Sequence, residues 1–528
     1  MAAGWLLAGF TGMANGQTTS TATATPTYTF DHPYVQPAKP NGLAVEKPNM
    51  IMFMPDQLRF DAVGVFGNNL MKTPNIDAFA AEGTRFTNLF TQASVGHRTL
   101  DNLLKPWEPN MFRSLKEHGY HVAYLSPRGD FYADNATELG VNEYGFLTQQ
   151  TLPAFVSEPF DVDKNDIWNR LFYTGERNDT EARDYDETTI SGALKWLEYP
   201  PQDKPWVLFL PLLFPHCPFT VEEPWFSILD MNHASWNRFA TPTAQNRATD
   251  EMWQEVKAVY HGMISRVDWQ FGRVVNKTKE MGLWNSTVTM FFTDHGEFLG
   301  DYGLIEKWPS GLSDSLTHEP LIIGGAGLPE NKVYEEMGEM VDLVPTVLAL
   351  GTVPETYAHY GISLQDAIHA AGRGEVIAHK NYSYTEGGFL LYEEPLLEQG
   401  PFPYDIKTAL QHNDTALVGK AVSIRDKEWT YIYRLYEADE LYSRAGDDPH
   451  ELHNLASDPA YQDIRAKFRE VALKWHVETA DTIWWYKDSR TPTTVALEDP
   501  YQQYVKRMSS DCVGQGCQMG SSTMTSVP

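Results

Sequence analysis

Cysteine is scarce in this chain: Cys217, Cys512 and Cys517 are the three in 528 residues. So little sulfur excludes a disulfide scaffold, and without a Cys-x-x-Cys pair there is no structural zinc motif. Cys512 and Cys517 are spaced to close only a small loop, and Cys217 stands between His216 and Pro218. Positive charge is short as well, with 41 Lys and Arg against 70 Asp and Glu and a net charge of −29. No basic face can dominate such a surface, which argues against nucleic acid or an anionic membrane as partner. A site for an anionic ligand must then be made locally positive, by a metal and a few cations. No apolar run is long enough to span a membrane as a helix. The N-terminus has a short apolar stretch, Trp5 to Phe10, but lacks the basic flank of a secretory signal. Six Asn-x-Ser/Thr sequons, at Asn135, Asn178, Asn276, Asn285, Asn381 and Asn413, would be glycosylated only in a secreted protein. Secreted and intracellular locations both stay open.

What is present reads as an ordinary globular composition, 42% apolar and 13% aromatic. The length predicts a domain plus a subdomain. Residues 1–45, rich in Thr, Ala and Pro, form a leader. Residues 46–373 carry strands and helices in alternation, the pattern of an α/β domain with a large, mostly parallel sheet. From 374 to 488 the character changes to a smaller antiparallel α+β subdomain, with a hairpin around Asp426-Lys427 and a helix from about Tyr461 to Val477. Residues 489–528 are a Ser, Thr, Gly and Met rich tail expected to be disordered. Residues 131–183 read as acidic, irregular surface loops.

Three apolar runs end in polar groups. Met50 to Met54 stops at Asp56-Gln57, Val288 to Phe292 at Asp294-His295-Gly296, and Trp206 to Phe214 at His216. Strands buried on both faces read as continuous apolar runs, and open α/β sheets place their sites just beyond such strand ends. Two of these strands side by side would gather carboxylate, amide and imidazole groups suited to a divalent cation. Gly296 allows a sharp turn, and Lys307 returns a cation nearby. The bland alternatives are a helix-capping Asp and core histidines at strand ends. Asp250 to Gly282 has apolar residues at helical spacing from Met252 to Val274, predicting a long helix packed on the sheet.

Several segments together resemble the sulfatase family of the alkaline phosphatase superfamily. They are Lys47-Pro-Asn-Met-Ile-Met-Phe-Met-Pro-Asp-Gln57, Thr73-Pro-Asn-Ile-Asp77, Glu82-Gly-Thr-Arg-Phe-Thr-Asn88, Thr293-Asp-His-Gly296, Val341-Asp-Leu-Val-Pro-Thr346 and Asp448-Pro-His-Glu-Leu-His-Asn-Leu455. The resemblance implies an alkaline-phosphatase-like fold and a metal-dependent hydrolase of sulfate esters acting on a small anionic ester. It implies Asp56, Gln57, Asp294 and His295 as ligands of one divalent cation, calcium first, with magnesium or manganese as alternatives. Lys307 and His216 would contact the sulfuryl oxygens or the leaving group, and Arg128 and His97 would help to bind substrate. The Asp56-Gln57 form resembles the branch that includes phosphonate and phosphate ester hydrolases.

In that family a cysteine in a Cys-x-Pro/Ser/Ala-x-Arg motif becomes formylglycine, the nucleophile. The motif should follow Val95, but the chain continues as Gly96-His97-Arg98-Thr99, and no cysteine has the required neighbours. Ser-Pro-Arg at 126–128 also stands where many sulfatases carry Gly-Lys-Trp-His, so Arg128 would replace a flexible point charge by a rigid fork. Ser94 and Thr99 flank the junction, but loss of the helix start behind them leaves neither poised as an alkoxide. Two hypotheses follow. One is a hydrolase whose written sequence has lost a segment; the other is a genuine variant without catalysis, either a metal- and anion-binding pseudoenzyme or a destabilised product.

Overall fold

The structure is a computed structural model that describes residues 39–93, 109–126, 137, 140–145, 166–177, 184–229, 248–357, 359–397, 399–400, 402–444 and 448–479. Residues 1–38 of the leader, the tail, Ser94, His97, Thr99 and Arg128 lie outside the described residues, so the expectations attached to them are not addressed by it; the end of the leader packs on the domain, with Asn41 buried and its Nδ2 donating to Leu350 O at 2.8 Å.

Strands are numbered in chain order. The large sheet contains β1 (Asn49–Met54), β2 (Gly83–Phe90), β3 (His121–Tyr124), β4 (Glu143–Tyr144), β6 (Trp206–Pro211), β8 (Thr287–Phe292), β9 (His318–Gly325), β10 (Lys332–Tyr334) and β11 (Gly338–Glu339). Outside it, β5 (Tyr173–Glu176) pairs with β7 (Phe219–Val221). The nine-stranded sheet has the order β10-β2-β9-β8-β1-β6-β3-β4, with β11 also on β2. All neighbours are parallel except β9, which is antiparallel to both β2 and β8.

Alternate residues of the central strands serve opposite faces. Ile51, Phe53, Leu208, Leu210 and Phe291 join the core under the helix Asp250–Glu280. Met50, Met52, Val207, Phe209, Val288 and Met290 join the core under the helices Met111–Glu117, Leu343–Leu350 and Gln365–Gly372. This is why β1, β6 and β8 are apolar without alternation: both faces are covered. On the long helix, Val256, Val259, Met263, Val267, Phe271 and Val274 are all fully buried, as the helical spacing requires.

A second sheet, β12 (Ser383–Gly387), β13 (Ala421–Arg425), β14 (Trp429–Arg434) and β15 (Glu440–Ser443), is wholly antiparallel. The helix Gln462–Thr479 covers it through Phe468 and Ala472. It is tied to the segment that leads into β9 by the fully buried Arg425, whose Nε lies 2.9 Å from Asp314 Oδ1 and whose guanidinium also donates to Leu312 O.

The expectation of irregular loops over 131–183 needs correcting where the chain is described. Glu143–Tyr144 and Tyr173–Glu176 are strands, and Ile167–Arg170 is a short helix capped by Asp166. Their partners are remote in sequence (β3 and β7), so no local periodicity announces them.

Candidate active site

The parallel strands β6, β1 and β8 lie side by side, so their C-terminal ends deliver His216, Asp56-Gln57 and Asp294-His295 to one edge of the sheet. The exits are stitched together. Thr293 Oγ1 donates to Pro55 O at 2.9 Å and accepts from Leu58 N at 3.2 Å. Leu212 N donates to Met54 O at 2.8 Å, and Asp56 N to Phe214 O at 3.2 Å. Gln57 has φ +65°, a left-handed conformation that costs a non-glycine residue on the order of 1 kcal/mol or more. It is held there by Tyr260, whose hydroxyl donates to Gln57 O at 2.7 Å and accepts from Arg59 N at 3.0 Å.

Asp56, Asp294 and His295 present ligand atoms that all lie within 4.8 Å of one another. His295 Nε2 is 3.7 Å from Asp56 Oδ1 and 3.9 Å from Asp294 Oδ2. His295 Nδ1 is paired with Gly296 O at 2.9 Å, which leaves Nε2 as the nitrogen facing the carboxylates. Such outer support of a ligating imidazole is what metal sites use to set its orientation. Two carboxylates and an imidazole, with the Gln57 amide beside them, fit a divalent cation that prefers oxygen.

Gly296 is required by close approach. A Cβ there would meet Ser315 O at 2.1 Å, because Gly296 N and Glu297 N both pair with the passing 315–316 backbone. The sequence suggests a turn; the structure gives a tight crossing.

Around this trio lies a buried charged cluster. Lys307 Nζ donates to Gln57 Oε1 at 3.0 Å and lies 3.2 Å from Glu306 Oε1. His216 Nε2 is 3.7 Å from the same Glu306 oxygen. Gln57 Nε2 donates to Glu297, and Lys407, from the helix Asp405–Asn413, donates to Glu306 Oε2. Burial alone would lower the Lys307 ammonium, but Glu306, Asp56 and Asp294 hold it above its ordinary range. Burial would raise Glu306, yet Lys407, Lys307 and His216 hold it well below the usual carboxylate range. Burial, with help from Lys307, brings His216 down to about 4, so at neutral pH it is an uncharged imidazole. Burial and Glu306 push Glu297 up to about 7.

All six described residues of the expected site are therefore neighbours. Sequence reasoning missed Glu297, Glu306 and Lys407. It also gave Cys217 no place, whereas the structure sets Cys217 with His216 and Glu306 as a second trio of potential ligands. Two ammoniums already share that Glu306 carboxylate, which disfavours a further cation. Burial, then Glu306, keeps the Cys217 thiol protonated, and its sulfur lies 3.3 Å from Tyr404 Oη.

Known proteins resemble this chain over most of its length. The sulfatase family model matches residues 48–353. An uncharacterized sulfatase of Escherichia coli K12, YidJ, is 24% identical over 532 residues, covering 89% of this chain and 98% of its own. An arylsulfatase of Clostridium perfringens is 22% identical, covering 81% of this chain and 94% of its own. The phosphonate monoester hydrolase of Agrobacterium radiobacter superposes with a TM-score of 0.63 at 22% identity, covering 84% of this chain and 98% of that one. At that identity the superposition speaks for the fold.

Proposed function

The chain belongs to the sulfatase family, and from that premise we propose that its site binds a small anionic sulfate ester against one divalent cation held by Asp56, Gln57, Asp294 and His295. Calcium is the first choice, magnesium or manganese the alternatives. The observation that carries the assignment is the meeting of Asp56, Asp294 and His295 within 4.8 Å beside a buried Lys307. The cation would supply positive charge where oxygen anions gather in the transition state. Lys307 would bind the sulfuryl oxygens as a permanent cation, and His216, neutral at pH 7, would serve the leaving-group side as a hydrogen-bond partner. Arg128 and His97 are proposed as further substrate contacts.

The nucleophile is the missing part. The sequence has no cysteine in the formylglycine motif, and Cys217 stays protonated and packed against Tyr404. The chain as written thus binds the ester without turning it over. Phosphonate monoesters are the second substrate class, suggested by the Asp56-Gln57 pair and by the phosphonate monoester hydrolase among the structural neighbours. The test is hydrolysis of 4-nitrophenyl sulfate and of a 4-nitrophenyl phosphonate by the full chain, with and without calcium. Release indistinguishable from buffer is expected. Metal-dependent turnover that disappears in Asp294→Ala would show that another group on this chain acts as nucleophile.

A further inference from the structure

Glu306 is 1% exposed and sits at φ +61°, a conformation that side-chain-bearing residues rarely adopt. Its backbone N–H is fixed by Glu297 Oε1 at 2.5 Å. Its two carboxylate oxygens face different ways. Oε2 accepts from Lys407, which reaches in from the helix Asp405–Asn413 with its ammonium over the Trp308 ring at 5.7 Å. Oε1 faces Lys307 Nζ at 3.2 Å and His216 Nε2 at 3.7 Å. Lys307 and His216 are the two groups assigned above to the oxygens and leaving group of the ester. An anion supplied by the chain itself is therefore already seated against them.

A fixed carboxylate a few ångströms from a bound oxyanion repels it, and a dianion feels that repulsion twice as strongly as a monoanion. Selectivity arises as readily from repulsion of the wrong ligand as from attraction of the right one. We propose that Glu306 is a specificity-determining residue of this site, a built-in counter-anion that admits monoanionic esters and disfavours dianionic oxyanions. Alkyl and aryl sulfates and phosphonate monoesters carry one negative charge; inorganic sulfate and, near neutral pH, phosphate monoesters carry two. The inference rests on the proposed use of Lys307 and His216 as the oxyanion-facing groups. Lys407 is a positioning residue in this scheme, since it anchors Oε2 and keeps Oε1 on Lys307.

The test is calorimetric titration of the full chain, with and without calcium, using inorganic sulfate and methyl sulfate as probes. The wild type is expected to bind methyl sulfate more tightly than sulfate. Glu306→Gln is expected to gain at least tenfold for sulfate and clearly less for methyl sulfate. Lys407→Gln is expected to move the other way, weakening sulfate, which a merely structural role would not produce. Should Glu306→Gln alone not fold, the double variant Glu306→Gln/Lys407→Gln removes the Lys407 ammonium that the single variant would strand, and its comparison with Lys407→Gln isolates the same charge. Equal gains for both probes, or no gain for sulfate, overturn the inference. Absence of calcium binding overturns the metal assignment instead, and the sulfate preference is then read on the metal-free chain, where Glu306 faces the same lysine.

Discussion

The backbone N–H of Gln57 donates to Oδ1 of Asp294 across 3.0 Å, and that oxygen also accepts from His295 N at 2.9 Å. One carboxylate therefore joins the ends of β1 and β8 and forms part of the candidate metal site. Its removal should have two separable effects. Asp294→Ala leaves two N–H groups without their acceptor, a loss of about 1–3 kcal/mol for groups that stay dry. It should also abolish the response to calcium. An ion present at about 100 times its Kd stabilises the native state by roughly 2.7 kcal/mol, so calcium should raise the wild-type melting temperature and leave that of the variant unchanged. Differential scanning calorimetry checks both effects, and an equal calcium shift in the two proteins refutes the ligand assignment.

The missing nucleophile makes its own prediction about the natural protein. The sequence keeps Asp294, His295 and Lys307 while lacking the motif expected after Val95, whereas decay of function would erode them too. Trypsin acting on the chain as written releases Phe86 to Arg98, Phe-Thr-Asn-Leu-Phe-Thr-Gln-Ala-Ser-Val-Gly-His-Arg. Mass spectrometry of protein from its native source is expected to show a different peptide after Arg85, one carrying a cysteine or its formylglycine beyond Val95. If Phe86–Arg98 is the only form, the gap is genuine and the protein is a metal- and anion-binding pseudoenzyme.

The site strands were legible because burial on both faces leaves a continuous apolar run with an abrupt polar end, as at Phe292-Thr-Asp-His295. The neighbours of those ends were less so. Glu297 and Glu306 belong to the same stretch, but a glutamate looks the same to local pattern whether solvated or dry. What holds the Glu297 carboxylate is Gln57, 240 residues away, with the N–H groups of Leu299 and Glu306, and what pairs with Glu306 is Lys407, about a hundred residues on. Lys407 lies in no motif, and its role follows only from how the helix Asp405–Asn413 packs. The fold was legible for the same reason as the strands. The exceptions, β4 and β5, are short pieces that exist through remote partners.

Asp186 should prove important to a histidine it does not touch. Buried on the helix Tyr185–Trp196, its Oδ1 accepts from Leu213 N and its Oδ2 from Phe214 N, both at 2.8 Å. That clamp holds the exit of β6 just before His216, and Phe214 O in turn receives Asp56 N. Asp186→Ala would strand two buried N–H groups and cost about 2–5 kcal/mol. Asp186→Asn keeps the size but turns an amide N–H toward a backbone donor, and should recover only part of the loss. Urea unfolding of the three proteins gives the order, and equal midpoints would show that the clamp is dispensable.

A last expectation concerns pH. Asp268, on the helix Asp250–Glu280, receives Asn75 N at 3.0 Å and Ile76 N at 2.7 Å on Oδ1, and Asn75 Nδ2 at 2.7 Å on Oδ2. These bonds open the helix Pro74–Ala81 and would lower its pKa, but burial outweighs them and, with Asp77 adding repulsion, raises it from 3.8 to about 6. The folded chain thus holds this proton more tightly than the unfolded one. The stabilisation is fully present below about pH 3.8 and is lost as pH rises through about 6. Asp268→Asn removes the titration while keeping the shape, and its own cost is constant with pH. The stability of the wild type relative to this variant should therefore fall by on the order of 2 kcal/mol between pH 4 and 7. Urea midpoints measured across that range decide it, and a difference that is flat or rises with pH would mean that Asp268 is already ionised in the folded chain at acid pH.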